Sequence, residues 1–301
     1  MKHLLNRHIR FASMTLATGA VLLAGTAQAL GTGAALSAES AYAEDRGTIN
    51  LSYVEWASTV ASTEVMKVVL EQAGYTVETS SLSAAAMWQS VATGDTDAFL
   101  AGWLPATHED YYAKLKDDLV DVGANLEGAK LGMVVPEYSD VNSIADMNDH
   151  ADSFKGKITG IDPGAGVMRL TEKTIEEYDL DYDLVSGSGA TMTAALKSAI
   201  DNNENIAVTG WTPHWMLARW DLKFLDDPKG TYGSTEQIHT IARQGLEEDM
   251  PRAYAILEAF KWSSDDMNEV MLMQEGSDDP YEAARTWVEN NPETVSEWLK
   301  G

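Results

Sequence analysis

The stretch FLAGWLPATHEDYY, Phe99 to Tyr112, ends an apolar run with a glycine and a tryptophan and follows them at once with proline, threonine and histidine. A second stretch, IAVTGWTPHWMLARW, Ile206 to Trp220, has the same form. Each reads as an apolar strand, a Gly-Trp pair, a short turn containing proline and then a helix-like segment. Strands that pass into helices through short turns build parallel or mostly parallel sheets, so the two stretches point to an α/β fold.

Working outward, INLSYVEW (Ile49 to Trp56) reads as a strand, and Thr59 to Ala73, with apolar positions Val60, Val65, Val69 and Ala73, reads as a helix that Gly74 stops. TVETSSL, a helix from Ala84 to Val91 and a turn at Gly94-Asp95 lead back to the strand DAFLAGW. A second series starts at LGMVVPEY (Leu131 to Tyr138). It continues through KITGID, a helix from Val167 to Tyr178, YDLVSGSG, a helix from Thr191 to Asn202 and IAVTGW. After the turn-rich LKFLDDPKGTYG comes the strand-like IHTIARQGL, then helices over Pro251 to Trp262, Asp265 to Gln274 and Asp279 to Leu299. No strand follows these helices, so they are expected to pack back on the first series. The pattern predicts two α/β lobes, 48–132 with 233–301 and 133–232, joined by crossings near Lys130 to Pro136 and Asp226 to His239. Two crossings make a hinge, and a hinge makes a cleft that closes on a ligand.

The first ten residues carry Lys2, Arg7 and Arg10 without an acid, and an apolar run from Phe11 ends in Ala27-Gln28-Ala29. That is the form of a secretory signal peptide over residues 1–29. A second cut site follows Ala43, and 30–47 reads as spacer. Removal of 1–29 leaves 18 basic residues against 47 acidic ones, a net charge of −29. Nucleic acid and anionic membrane would be repelled and are excluded as partners. Such an excess of acid also suits hydration in a salty exterior. The chain has no cysteine, so neither disulfides nor a lipidated N-terminal cysteine are expected. The expected product is a monomer diffusing freely in a periplasm.

Ligands of open α/β sheets sit beyond the carboxyl ends of the strands. Those positions hold Trp56, Trp103, Trp211, the segment from Asp162 to Val167 and the segment from Ser186 to Ala190. One tryptophan at a strand end is ordinary packing, but three at equivalent positions offer π faces for a cation without N–H groups, as in quaternary ammonium cages. IDPGAGVMRL places a Gly-rich turn directly before a helix, so the amides of Gly166 and Val167 are free to hold an oxyanion. His108, five residues after Trp103 and at the start of a helix opened by Pro105, adds a neutral donor. Arg169 is a weaker candidate, since Glu172 lies within reach on the same helix. Together these residues describe a site for a small zwitterion, with a methylated ammonium at one end and a carboxylate at the other.

At these residues the sequence resembles the glycine betaine-binding proteins of ABC-type osmoprotectant importers. The resemblance runs from Ile49 to Lys261 and rests on YVEW, GWLPATH, LGMVVPEY, IDPGAGVMRLTE, VTGWTPHWM and LKFLDDPKG. It implies a type II periplasmic-binding-protein fold whose two lobes close on the ligand and hand it to a membrane permease. It further implies that Trp56, Trp103 and Trp211 box the trimethylammonium, while His108 and the amides of Gly166 and Val167 hold the carboxylate. Choline-specific relatives alter the carboxylate side, so the intact turn and histidine favour glycine betaine, with proline betaine beside it, over choline or carnitine. A secreted hydrolase using Asp162, His214 or Glu55 is the contrasting reading. The chain has no GxSxG, HExxH or metal-spaced histidine cluster to support it. Neither a catalytic role nor a cofactor or metal is expected.

Overall fold

A computed structural model describes residues 46–301; the expected signal peptide, its cut sites and nearly all of the spacer lie outside the described residues. In chain order the first elements are β1 (Thr48–Tyr53), α1 (Ala57–Gln72), β2 (Thr76–Ser81), α2 (Ala84–Thr93), β3 (Ala98–Leu104), α3 (Glu109–Leu115) and β4 (Leu119–Pro136). They are followed by β5 (Lys157–Thr159), α4 (Gly166–Tyr178), β6 (Asp183–Val185), α5 (Gly189–Asp201), β7 (Ala207–Thr212), α6 (Trp215–Arg219), β8 (Leu222–Phe224) and β9 (Glu236–Arg243). Helices α7 (Leu246–Asp249), α8 (Pro251–Ala259), α9 (Ser264–Glu275), α10 (Pro280–Asn290) and α11 (Pro292–Trp298) close the chain.

The strands run in the order β2-β1-β3-β9-β4-β7-β5-β6, with β8 on β4. Pairings inside each strand-helix series are parallel, β1 with β2 and β3, and β5 with β6 and β7. The strands that join the series are antiparallel to their neighbours, so the sheet is mixed. The join is β4, whose 18 residues pair with β9 from Leu119 to Ala129 and with β7 from Lys130 to Val134. Only its end, LGMVVPEY, is legible as a strand from pattern. Its earlier half contains Gly123 and Gly128 at positive φ and several register shifts against β9, which break the alternation of apolar residues.

Two other expectations are corrected. The helix expected from Asp279 to Leu299 is two helices, because Pro292 lacks an N–H and begins α11 at its first turn. Pro105 does not open a helix: the Leu104–Pro105 peptide is cis, α3 starts at Glu109, and His108 stands at its cap position. The Thr212–Pro213 peptide in the twin stretch is also cis.

The C-terminal helices pack where expected, α9 and α10 against α1. Trp88, Trp287 and Trp298 are buried core residues, with Trp287 and Trp298 stacked at 6.1 Å. Near the strand ends away from the tryptophans, Asp97 accepts the Asn50 amide and the Arg243 guanidinium, each at 2.7 Å, tying β1, β3 and β9 together. Asp97→Ala removes the buried one of the two carboxylates that hold Arg243, leaving only exposed Asp249, which costs about 1.5–3 kcal/mol. Urea unfolding of the variant checks this, and a loss below about 1 kcal/mol would assign the pair the weight of a surface contact.

Candidate binding site

Trp56, Trp103, His108, Gly166, Val167 and Trp211, the six residues singled out from sequence, line one cavity with about 320 Å³ of empty space. The twin stretches supply two walls: Trp103 lies near the end of β3 and Trp211 near the end of β7, each with its side chain buried. Trp56 stands just ahead of α1 and stacks on the His108 ring, 5.9 Å between centroids and 20° between planes. Ser58, Thr107, Leu131, Ile161 and Ala165 complete the lining.

The state of His108 follows from its partners. Its Nδ1 accepts the backbone N–H of Trp103 at 3.0 Å, so Nδ1 carries no proton. Burial, reinforced by the Arg169 charge and opposed by the Ala101 backbone, pushes the imidazole pKa down to about 3. At neutral pH the single ring proton therefore sits on Nε2. That nitrogen is buried and has no hydrogen-bond partner among the described residues. A buried donor without an acceptor costs free energy until a ligand oxygen meets it.

The amino end of α4 supplies two more donors. Ala165 caps the helix without a side-chain bond, and among the described residues the N–H groups of Gly166 and Val167 have no acceptor. Only glycine fits here, since a Cβ on Gly166 would lie 2.1 Å from the Thr107 carbonyl oxygen. The turn from Pro105 to His108 is gripped from both sides. Buried Glu236 accepts the Thr107 amide at 3.1 Å and its hydroxyl at 2.7 Å. From α4, Arg169 donates to the Ala106 carbonyl at 2.8 Å and pairs with Asp110 at 3.1 Å, so it does not pair with Glu172 as its spacing allowed. It is a brace for the turn rather than a lining residue.

Glu236 and Ser58 were not singled out from sequence. An acid at the head of a strand and a serine in the first turn of a helix carry no local signal, because their roles depend on what the fold brings opposite. The sequence offers Asp162 as part of a segment beyond a strand end and as a residue of the hydrolase reading, and the structure gives it a specific partner. Its Oδ2 accepts the Trp56 indole N–H at 2.7 Å, across 106 residues of sequence. His214 caps α6 through Nδ1, which accepts the Met216 amide at 3.1 Å. Trp215 lines a separate, wider cleft of about 1460 Å³ with Glu55, His214 and one side of Trp211. Of the residues of the hydrolase reading, Glu55 and His214 thus line the same cleft, while Asp162 lies apart at the Trp56 indole. Among the described residues there is no cluster of ligands for a metal ion.

The cavity combines aromatic walls with donors for an anion, in a mixed α/β fold of the substrate-binding type. The family model described as the substrate binding domain of ABC-type glycine betaine transport systems matches residues 47–290, and the chain belongs to that family. The glycine betaine/carnitine transport binding protein GbuC of Listeria monocytogenes is 50% identical over 156 residues, 51% of this chain and 52% of that protein. The match thus spans about half the length of the Listeria protein. Lactococcal OpuAC, solved closed with glycine betaine, is 43% identical with a TM-score of 0.81, covering 84% of this chain and 99% of that one. The choline binding protein of an ABC transporter, solved with choline, is 30% identical with a TM-score of 0.78, covering 84% and 92%.

Both buried histidines give the fold a measurable pH dependence. Burial also holds the His214 pKa at about 3. Folded-state values below the unfolded value of about 6.5 mean that the unfolded chain binds more protons. Their contribution is complete above about pH 6.5 and is lost as pH falls toward 3. Between pH 7 and 5 the loss is about 2 kcal/mol for each histidine. Urea unfolding at the two pH values should show it, and His214→Gln should remove about half of the difference. A difference unaltered by His214→Gln would mean that this ring takes up a proton while folded.

Proposed function

We propose that this chain captures glycine betaine, and proline betaine beside it, and delivers the ligand to the membrane permease of an ABC importer. The observation that carries the reading is the meeting of three indoles with three unpaired N–H donors around one small cavity: Nε2 of His108 and the amides of Gly166 and Val167. The indoles of Trp56, Trp103 and Trp211 enclose the trimethylammonium, and the donors take the carboxylate. Family membership and the likeness to lactococcal OpuAC support the same ligand.

Three aromatic faces at about 1 kcal/mol each and charge-assisted hydrogen bonds at about 1.5–3 kcal/mol each give a gross sum of roughly 6–12 kcal/mol. Closure and lost ligand freedom subtract from it, leaving an affinity on the order of micromolar. Choline and carnitine are disfavoured for different reasons. Choline offers the donor set one neutral hydroxyl oxygen in place of a carboxylate, and carnitine places its carboxylate farther from its ammonium.

In this reading 48–132 with 233–301 and 133–232 act as two lobes that close over the ligand. The chain is made with a signal peptide over residues 1–29, works outside the cytoplasm as an unanchored monomer, and performs no chemistry on its cargo. Support for export comes from the basic and apolar character of the first residues, and support for solubility from the acidic excess.

Calorimetry of the purified protein should give saturable betaine binding in the micromolar range, with Trp103→Ala and Trp211→Ala each weakening it at least tenfold. Undiminished binding in both variants would remove the cage. His108→Ala should weaken betaine more than choline, because only betaine offers the carboxylate. Equal losses would make His108 a structural residue.

A further inference from the structure

Of the three indoles around the cavity, Trp56 alone has its N–H held by a carboxylate among the described residues, and that carboxylate comes from the turn that leads to Gly166 and Val167. Trp56 follows β1, and Asp162 lies in the turn between β5 and α4, strands separated in the sheet by β3, β9, β4 and β7. The 2.7 Å separation is that of a charge-assisted bond. Asp162 is half-buried, and no lysine or arginine among the described residues pairs with it. The nearby Arg169 is committed to Asp110 and to the Ala106 carbonyl. The edge of an aromatic cavity therefore carries a negative charge without a counter-charge.

We propose that Asp162 is a positioning residue that sets the preference of the cage for a cation over an uncharged group of the same shape. The proposal rests on the betaine-binding reading above. Two effects act in the same direction. A carboxylate accepting the indole proton shifts electron density onto the ring, and a more negative π face attracts a cation more strongly. The net charge of Asp162, a half-buried carboxylate bonded to that wall, adds a direct attraction for a cation in the cage. The same bond ties the Trp56 wall to the turn that bears the Gly166 and Val167 amides. The cationic wall and the anion donors are thus assembled together.

The discriminating probe is 3,3-dimethylbutanoate, which replaces the ammonium nitrogen of betaine by carbon and leaves the carboxylate unchanged. Asp162→Asn keeps an oxygen acceptor for the indole N–H but removes the charge. It should lower the ratio of betaine to 3,3-dimethylbutanoate affinity about tenfold, while the affinity for the carbon analogue, an anion whose only charge is its carboxylate, does not fall. Trp56→Phe removes the N–H and keeps an aromatic face. In that background Asp162→Asn should cost betaine binding clearly less than it does in the wild type. Far-UV circular dichroism and the thermal midpoint establish that each variant is folded. Equal loss of both ligands in Asp162→Asn would reduce the bond to a structural tie and overturn the proposal, as would an unchanged ratio or strictly additive effects of the two substitutions. Failure of the wild-type protein to bind betaine would instead overturn the underlying reading, and the proposal with it.

Discussion

The site depends on how closely the amino end of α4 approaches the turn that follows β3. Thr107 lies so near Gly166 that no side chain fits between them. That contact brings two unpaired helix amides beside the His108 ring, places Arg169 where it can brace the turn, and sets Asp162 within reach of Trp56. A larger residue at position 166 would displace all of these by displacing one backbone. The strand ends supply the walls, but this contact determines whether the walls and the donors face the same space.

The hydrogen bond from the Trp103 amide to His108 Nδ1 has a second consequence. It fixes which ring nitrogen bears the proton, and burial keeps the other protonation state out of reach at neutral pH. Backbone therefore decides that the histidine presents a donor rather than an acceptor. Glu236 acts one step further back, holding Thr107 through both its amide and its hydroxyl.

Much of this was legible from pattern. The twin Gly-Trp stretches located two strand ends, and the glycines before α4 located a helix terminus, because each feature is local in sequence. What was not legible depends on pairs distant in the chain. Asp162 and Trp56, Arg169 and Ala106, and Glu236 and Thr107 meet only after the sheet is assembled. The first half of β4 was also missed, since its glycines and bulges remove the alternation that marks a strand. His108 stands on the turn that caps α3, not in a helix opened by Pro105, because the cis peptide before that proline is invisible to pattern.

Those bulges bear on how the cleft could open. β4 belongs to both halves of the sheet, and its register against β9 shifts between Asp121 and Gly123, Ala124 and Leu126, and Glu127 and Ala129. A bulged ladder bends and twists more readily than a regular one while keeping its remaining hydrogen bonds. If the two proposed lobes move against each other, the change would be a torsion spread along one strand rather than a swing about a single point.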